Sequence, residues 1–540
     1  MTELYWNEHA GLPLLALLQW LPLVGAAVLL RIGERPLSTF LGRAFALAEL
    51  GLAVLLYRGL DVHNPSLQFA ERLDLLGPLV YHAGADGVTV LFVLLAALLV
   101  AILTFYAQVR VLEDQARLLA VVLAVQGVMM SLLVTVNLLW FVVASAVELG
   151  LVGYLVGRWS NSPQKDMAMG RFYQFQGVGL LMLLAGVLVV GWAYHDTTHL
   201  AWTFDLLDLA DRPMPRDLAG AAFFLLFYGL GVRTPIFPLH GWLPTVAQHG
   251  NVAIAPALLL GVKVGIYGLV RFVLPILPEA VSLWYPYVTG FAAAGVFYGA
   301  LLAFQQDNLR RLIAFAVVSH TSLVIIGIFS LDAIALQGGL LLAVNFGLAA
   351  TAMMLMTGLV YRRTRTTNLA RLGGLFDRIP LIGITFLVAG LAIVGMPGTP
   401  GFDAAHLVLE AAIHRFGALP TVAAALANVV AAGFLLWAFQ RAFLAPAPAG
   451  RGTAVERATS FELAIAGTLV LVLLLAGFRM APLLDLVDAP LKALAQRFAE
   501  PPPPPPPPIS PPTPSPAPGL APAGPSQSRG GPAVILVRHV

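Results

Sequence analysis

The sequence predicts an all-α, polytopic membrane protein with about fourteen transmembrane helices. Three observations carry that prediction: the composition, the length and spacing of the apolar runs, and the sidedness of the basic residues. Of 540 residues, 59% are hydrophobic and 11% are charged, whereas soluble chains carry roughly 25% charged residues. An ordinary core cannot hide that much apolar surface, so the solvent for these side chains is a bilayer.

Fourteen apolar runs approach the spanning length of about 20 residues. They lie at 11–31, 38–58, 87–108, 116–134, 136–157, 172–194, 219–239, 250–273, 284–304, 310–329, 332–361, 380–412, 417–444 and 460–479. The first has no signal-peptide flank: Met1 to Ala10 holds two acids and no base, so the run is expected to be a retained helix. Only a turn at Val136-Asn137 separates the fourth and fifth runs. Eighteen Lys and Arg residues, from Arg31 to Arg457, follow odd-numbered runs. Six follow even-numbered runs up to the twelfth: Arg58, Arg72, Arg212, Arg216, Arg271 and Arg415. That asymmetry puts the odd connections in the cytoplasm and the N-terminus outside; an even helix count puts the C-terminus outside too.

Two runs are interrupted. In "GVRTPIFPLHGWLP" Pro235 and Pro238 stand three apart, as do Pro397 and Pro400 in "VGMPGTPGF". Each pair frees backbone carbonyls that lipid cannot satisfy, so each break needs a protein or aqueous lining. The alternative is a pair of ordinary proline kinks. The breaks fall in the seventh and twelfth runs, five apart, and therefore in helices of opposite direction. That pattern predicts two inverted five-helix repeats, runs four to eight (116–275) and nine to thirteen (276–445). They follow an N-terminal section of three helices (1–115). After them come the last transmembrane helix (446–480), an amphipathic segment (481–500) suited to lie along a surface, and a Pro-rich tail (501–540) with polyproline or disordered character. The tail is a spacer, a ligand for a peptide-binding domain or a dispensable extension.

Charge inside these runs points to function. Glu148, Lys263 and His320 are each embedded in apolar sequence, and Arg233 precedes the first break. Burying a charge at the bilayer centre costs roughly 2.5–3.5 kcal/mol on insertion scales, so such residues are kept by partners or by use. A carboxylate, a lysine and a histidine can all exchange protons, and strung across the midplane with water they form a relay. Arginine does not deprotonate in proteins and acts as a fixed charge. Two structural alternatives stand beside this reading: Glu148 as an ion pair with Arg233 or Lys263, and His320 as a hydrogen-bonded core histidine. His240 and His249, near helix ends, read as interfacial, and Asp86 as a helix cap or interfacial contact; His82 has no assignment.

Much chemistry is excluded. Without cysteine there are no disulfides, thiolate zinc sites or cysteine-ligated clusters. No metal or cofactor site is expected in this chain, and a net charge of +3 gives no sign of nucleic acid.

Four stretches carry a family resemblance: "YHAGADGVTVLFVLL" (81–95), "VRTPIFPLHGWLP" (232–244), "DNLRRLIAFAVVSHTS" (307–322) and "GLAIVGMPGTPGF" (390–402). Over nearly all of 10–480 the chain resembles the antiporter-like membrane subunits of respiratory complex I, most of all subunit M. Mrp-type cation/proton antiporters, membrane-bound hydrogenase subunits and inorganic-carbon uptake partners share that core. The resemblance implies a proton-translocating subunit of a complex-I-like NADH-quinone oxidoreductase in the bacterial inner membrane, surrounded by lipid and other membrane subunits. NADH, FMN, iron–sulfur clusters and quinone are then expected in partner subunits. It also implies alternatives: a paralogue serving an inorganic-carbon or hydrogenase complex, an antiporter, or a static membrane spacer. It assigns Glu148 to the helix-five glutamate, Lys263 to the helix-eight lysine and His320 to a central histidine. Three positions depart from the pattern. Arg233 stands where the helix-seven lysine is usual, Phe346 (beside Asn345) where a helix-eleven histidine is, and Ala405 where a helix-twelve glutamate is. Asp403, His406 and Glu410 share one helical face nearby and are candidates for the exit.

Overall fold

The computed structural model describes residues 3–499 apart from 10, 111–112, 213, 252–253 and 448–454. The Pro-rich tail expected at 501–540 lies outside the described residues. A short strand β1 (Glu3–Tyr5) and helix α1 (Trp6–His9) lead into α2 (Leu14–Ile32) and α3 (Pro36–Gly59). Strands β2 (Leu67–Leu76) and β3 (Leu79–Ala85) follow, then α4 (Gly87–Arg110), α5 (Gln115–Val134), α6 (Leu138–Arg158), α7 (Lys165–Thr198), α8 (Leu206–Ala210) and α9 (Arg216–Arg233). The centre of the chain is in pieces: α10 (Leu243–His249), α11 (Ile254–Gly261), α12 (Val264–Gly268), a π-helical turn over Leu269–Val273, and α13 (Leu274–Ile276). Long helices resume with α14 (Pro278–Phe304), α15 (Leu309–Phe329) and α16 (Ala333–Thr364). Then come α17 (Pro380–Val394), α18 (Pro400–Phe416), α19 (Ala418–Phe439), α20 (Ser460–Phe478) and α21 (Ala481–Ala495).

Eleven described helices are long and apolar enough to cross a membrane. The apolar runs at 219–239, 250–273 and 380–412 do not give single long helices, because each is interrupted. The innermost helix is α15, in which every residue but Arg311 is buried. Its start is fixed by Asn308, whose side chain accepts hydrogen bonds from the amides of Arg310 and Arg311.

The connections sort into two groups. At one face, Val136 donates to the carbonyl of His82, Arg497 donates to the carbonyls of Ala210 and Pro275, and Gln337 donates to Asp488. At the other, Glu34 accepts from the amide of Ala116, Arg158 pairs with Asp114, Ser160 donates to the carbonyl of His249, and Arg363 pairs with Glu462. The amphipathic segment forms α21, which packs on α4 and α16. A Cβ at Gly87 would collide with the carbonyl oxygen of Leu486, so α4 begins directly beneath α21.

Two short pairings recur. Leu138 donates to Phe204 O and Leu206 to Val136 O, closing an antiparallel bridge between Asn137 and Asp205. In the same pattern Leu309 donates to Thr367 O and Leu369 to Asp307 O, bridging Asn308 and Asn368. Asn137 and Asn308 each cap the following helix, and Asp205 and Asn368 cap theirs. The first bridge lies at the face of the hairpin; the second lies at the opposite face.

The strands correct the all-helical expectation locally. Residues 67–85 form an antiparallel hairpin, with β1 added in parallel to β2. Gly77, at φ +53°, makes its turn. The hairpin is clamped by His82, a residue without an assignment from sequence. Its buried ring donates from Nδ1 to Asp205 (2.5 Å) and from Nε2 to Glu3 (2.8 Å), so the arrangement needs both ring protons. Burial opposes that charge, but the hydrogen bond and charge of Asp205, and then Glu3, outweigh it and raise the His82 pKa above 6.5. The clamp therefore contributes in full below pH 6.5 and is lost as pH rises through the raised folded value. Hydrogen exchange over 79–85, corrected for intrinsic rates, is expected to show the hairpin loosening toward alkaline pH, by about 1.5–3 kcal/mol for charge-assisted bonds. His82→Gln should remove that pH dependence; an unchanged profile in the variant would show that the clamp has another origin.

Candidate functional site

The opening interruption lies between α9 and α10. Pro235 lacks an amide hydrogen and Pro238 follows it three residues on, so the α-helical ladder stops at Arg233. Thr234 still donates to Leu230 O, and the buried indole of Trp242 donates to Val232 O (3.1 Å), satisfying a carbonyl that the break releases. Arg233 thus sits at a helix C-terminus, where a cation is favoured. It pairs with Glu148 from the middle of α6, and both side chains are nearly buried (11% and 12% exposed). The ion-pair alternative for Glu148 is what the geometry displays.

Beside this pair lies a cavity of about 40 Å³, bordered by Ser145, Glu148, Gln176, Arg233, Val262 and Val264. One water needs about 10–15 Å³ by this measure, so the space suits two or three. Ser145 Oγ and Arg233 Nε have no protein partner and face the same region. The cavity reaches from the ion pair to the residues on either side of Lys263.

Lys263 occupies an interruption that contains no proline. α11 ends at Gly261, Lys263 is the cap residue of α12, and its backbone (φ −85°, ψ 67°) is non-helical. The expected continuous helix over 250–273 is therefore two pieces. Close packing holds the gap open: a Cβ at Gly347 of α16 would collide with the carbonyl oxygen of Gly261, and one at Gly265 with the hydroxyl of Thr234. Lys263 is buried, and Nζ donates to Thr321 Oγ1 on α15 (2.9 Å).

His320 precedes Thr321. It is also buried, with Nδ1 donating to Ala316 O (2.8 Å) and the side chain of Asn428 from α19 interacting with the ring. Its ring meets Phe346 edge-on at 4.9 Å between centroids. The departure at Phe346 is thus an apolar ring set against the central histidine. The neighbouring Asn345 donates to Ala392 O at the end of α17 (2.9 Å), and Asn428 of α19 donates to Val394 O (3.4 Å). Two amides therefore satisfy carbonyls at the second break. Gly395 (φ +77°), before Pro397, and Gly398 (φ +86°), between Pro397 and Pro400, turn the backbone there in conformations that suit glycine.

Glu148 meets Arg233, their cavity reaches the neighbours of Lys263, and Lys263 bonds Thr321, the residue after His320. Asp403, His406 and Glu410 share a face of α18, as their spacing predicts, but that face is exposed in this chain. His406 and Glu410 approach to 3.9 Å. The inward α18 residues include Ala404, Ala405, Val408, Ala411 and Ala412. His240 differs from its interfacial reading: it is buried in the first break against Phe237, Tyr298 and Phe315. His249 is half-buried and bonds Ser162 Oγ through Nδ1 (3.0 Å).

Several polar groups escaped the sequence reading. Arg271, counted there as a loop charge, is buried in the π-helical turn. It forks onto Asp86 (2.9 and 2.6 Å), and also donates to Thr89 (2.6 Å) and Tyr267 (3.1 Å). Asp86 keeps its expected cap bond from the Thr89 amide as well. Glu49 of α3 is fully buried with neither carboxylate oxygen bonded. The signal for both was available: an ionisable residue flanked on each side by apolar sequence, as at Glu148.

Fold and site define a class: a polytopic membrane protein whose interrupted helices enclose ionisable side chains. Residues 135–434 match the family described as NADH:quinone oxidoreductase/Mrp antiporter, TM, and the chain belongs to that family. It is 28% identical over 485 residues to the F(420)H(2) dehydrogenase subunit M of Methanosarcina mazei, covering 88% of this chain and 97% of that one. It is 27% identical over 513 residues to the NADH-quinone oxidoreductase subunit M of Rhodobacter capsulatus, covering 90% and 97%. A chain of respiratory complex I from Thermus thermophilus superposes with a TM-score of 0.80 at 29% identity, covering 90% of this chain and all of that one.

Proposed function

We propose that this chain is the proton-translocating membrane subunit of a complex-I-like NADH-quinone oxidoreductase. Electron transfer takes place in partner subunits, which hold NADH, FMN, iron–sulfur clusters and quinone, and drives proton movement here. The observation that carries this reading is Lys263: a buried lysine in an interrupted helix, between the Glu148–Arg233 cavity and His320. Glu148 receives the signal from a neighbour and acts through its pairing. Arg233 stays charged throughout. Lys263 exchanges protons, His320 relays, and Asp403, His406 and Glu410 offer an exit at the flank of α18.

The two interrupted helices and the matching bridges at Asn137 and Asn308, on opposite faces, support inverted repeats at 116–275 and 276–445. The charge asymmetry of the connections supports an orientation with the N-terminus outside.

The test is an assembly copurified with the tagged chain and reconstituted into vesicles with a pH-sensitive dye. Quinone reduction is expected to acidify one side. Glu148→Gln should lower that acidification several-fold while NADH oxidation in the uncoupled state continues. Equal acidification by the variant, at equal amounts of assembled complex, would count against the role given to Glu148.

A further inference from the structure

A buried carboxyl group lies in the N-terminal helices, ahead of the matched stretch 135–434. Glu49 sits on the inward face of α3 with Gly42, Ala46, Ala53 and Leu56. Its side chain is fully buried, and neither carboxylate oxygen has a hydrogen-bond partner. The cations of α3 and of the helices packed on it are placed elsewhere. Arg31 is in the last turn of α2, Arg58 in the last turn of α3 and Arg117 in the first turn of α5. Arg43 donates to Thr39 O and lies over Phe105, and α4 has no basic residue before Arg110. An isolated carboxylate in such surroundings is so costly that the group takes up a proton instead.

Helix register brings one polar residue to the level of Glu49. A Cβ at Gly42 would meet Leu119 of α5, and one at Gly25 of α2 would meet both Phe45 and Leu123. Positions 42 and 45 of α3 thus match 119 and 123 of α5, so the two helices run in the same direction. One turn further on, Glu49 matches Gln126. Gln126 is fully buried as well, and neither Oε1 nor Nε2 has a partner. The four orphaned atoms are complementary in one protonation state. A neutral carboxyl donates its O–H to the amide oxygen and accepts an amide N–H on its carbonyl oxygen, which satisfies all four. A carboxylate could take the N–H but would leave Gln126 Oε1 facing another acceptor.

The same level continues to α6. Trp140 donates to Ser131 Oγ of α5 (2.8 Å), and α5 and α6 run in opposite directions from the turn between them, so Ser145 stands level with Gln126. Ser145 Oγ is also unpartnered. Ser145 and Met129, three residues after Gln126, both border the cavity beside Glu148 and Arg233. We propose that Glu49 and Gln126 form a proton-binding site, with one proton resident on the Glu49 carboxyl and exchangeable with water in that cavity by way of Ser145. The resident proton requires no quinone turnover, so this site and the pumping role given to Lys263 can fail separately.

The test is infrared spectroscopy of the full chain in a detergent without ester groups, whose carbonyls would cover the band of interest. At neutral pH the difference between the unsubstituted chain and Glu49→Gln is expected to contain a carboxylic-acid C=O stretch. Glu49→Gln should fold, because a pair of amides keeps both hydrogen bonds to Gln126. Gln126→Leu removes the partner, so the acid stretch should move to higher frequency. On transfer to D2O the band should shift as deuterium replaces the proton, several-fold more slowly in Ser145→Val. A difference spectrum with carboxylate bands alone overturns the proposal. So does an acid stretch at unaltered frequency in Gln126→Leu, or exchange at unaltered speed in Ser145→Val.

Discussion

Lys263→Ala is expected to abolish proton movement coupled to quinone reduction, by at least an order of magnitude, while the assembly still forms. The residue is buried and makes one polar side-chain contact, to Thr321. Its replacement by alanine removes a charge that is costly to bury and leaves a hydroxyl able to bond elsewhere, so folding should tolerate it. The function should not. Between the cavity beside Glu148 and Arg233 and the ring of His320, Lys263 is the group able both to take and to give a proton. Lys263→Arg sharpens the test. It keeps the positive charge but cannot release its proton, so it should be as defective as the alanine variant. If the arginine variant pumps normally, the residue serves as a fixed charge and the relay as described is wrong.

Asp86→Ala is expected to have the largest effect on stability. Arg271 and Asp86 are 5% and 7% exposed, with two hydrogen bonds between them. Removing one partner of a buried pair leaves an uncompensated charge and costs about 3–5 kcal/mol. The affected contact joins the start of α4 to the π-helical turn that follows α12, so the variant should lower both the amount of folded chain in the membrane and its thermal midpoint in detergent. Replacing both residues, as Asp86→Ala with Arg271→Met, should recover much of the loss, because no charge is then stranded. A double variant as unstable as the single one would show that the pair's geometry matters more than its charge balance.

The candidate site residues were legible because a charge in an apolar run has no inconspicuous explanation. Glu148, Lys263 and His320 stand out for that reason alone, and Arg233 because prolines follow it. Arg271 was missed because it lies near the end of its run, where a count of loop charges absorbs it. The gap at Lys263 was missed because it contains no proline. Its trace in the sequence is two glycines, Gly261 and Gly265, which permit close approach to α16 and to Thr234. The amides of Asn345 and Asn428 gave no sign of their task, since each serves a carbonyl on a different helix. The hairpin was overlooked because windows of membrane-spanning length average over strands of ten and seven residues.

The amino-acid order alone determined the solvent of this protein, where its long helices run and which ionisable groups must lie among them. Those properties follow from local composition and from the cost of exposing backbone or charge to lipid. Tertiary structure decided which charge meets which, where a helix opens without proline, and which side of α18 faces inward. Those outcomes depend on contacts between segments far apart in the chain, whose geometry is set by packing and desolvation and not by neighbours in sequence.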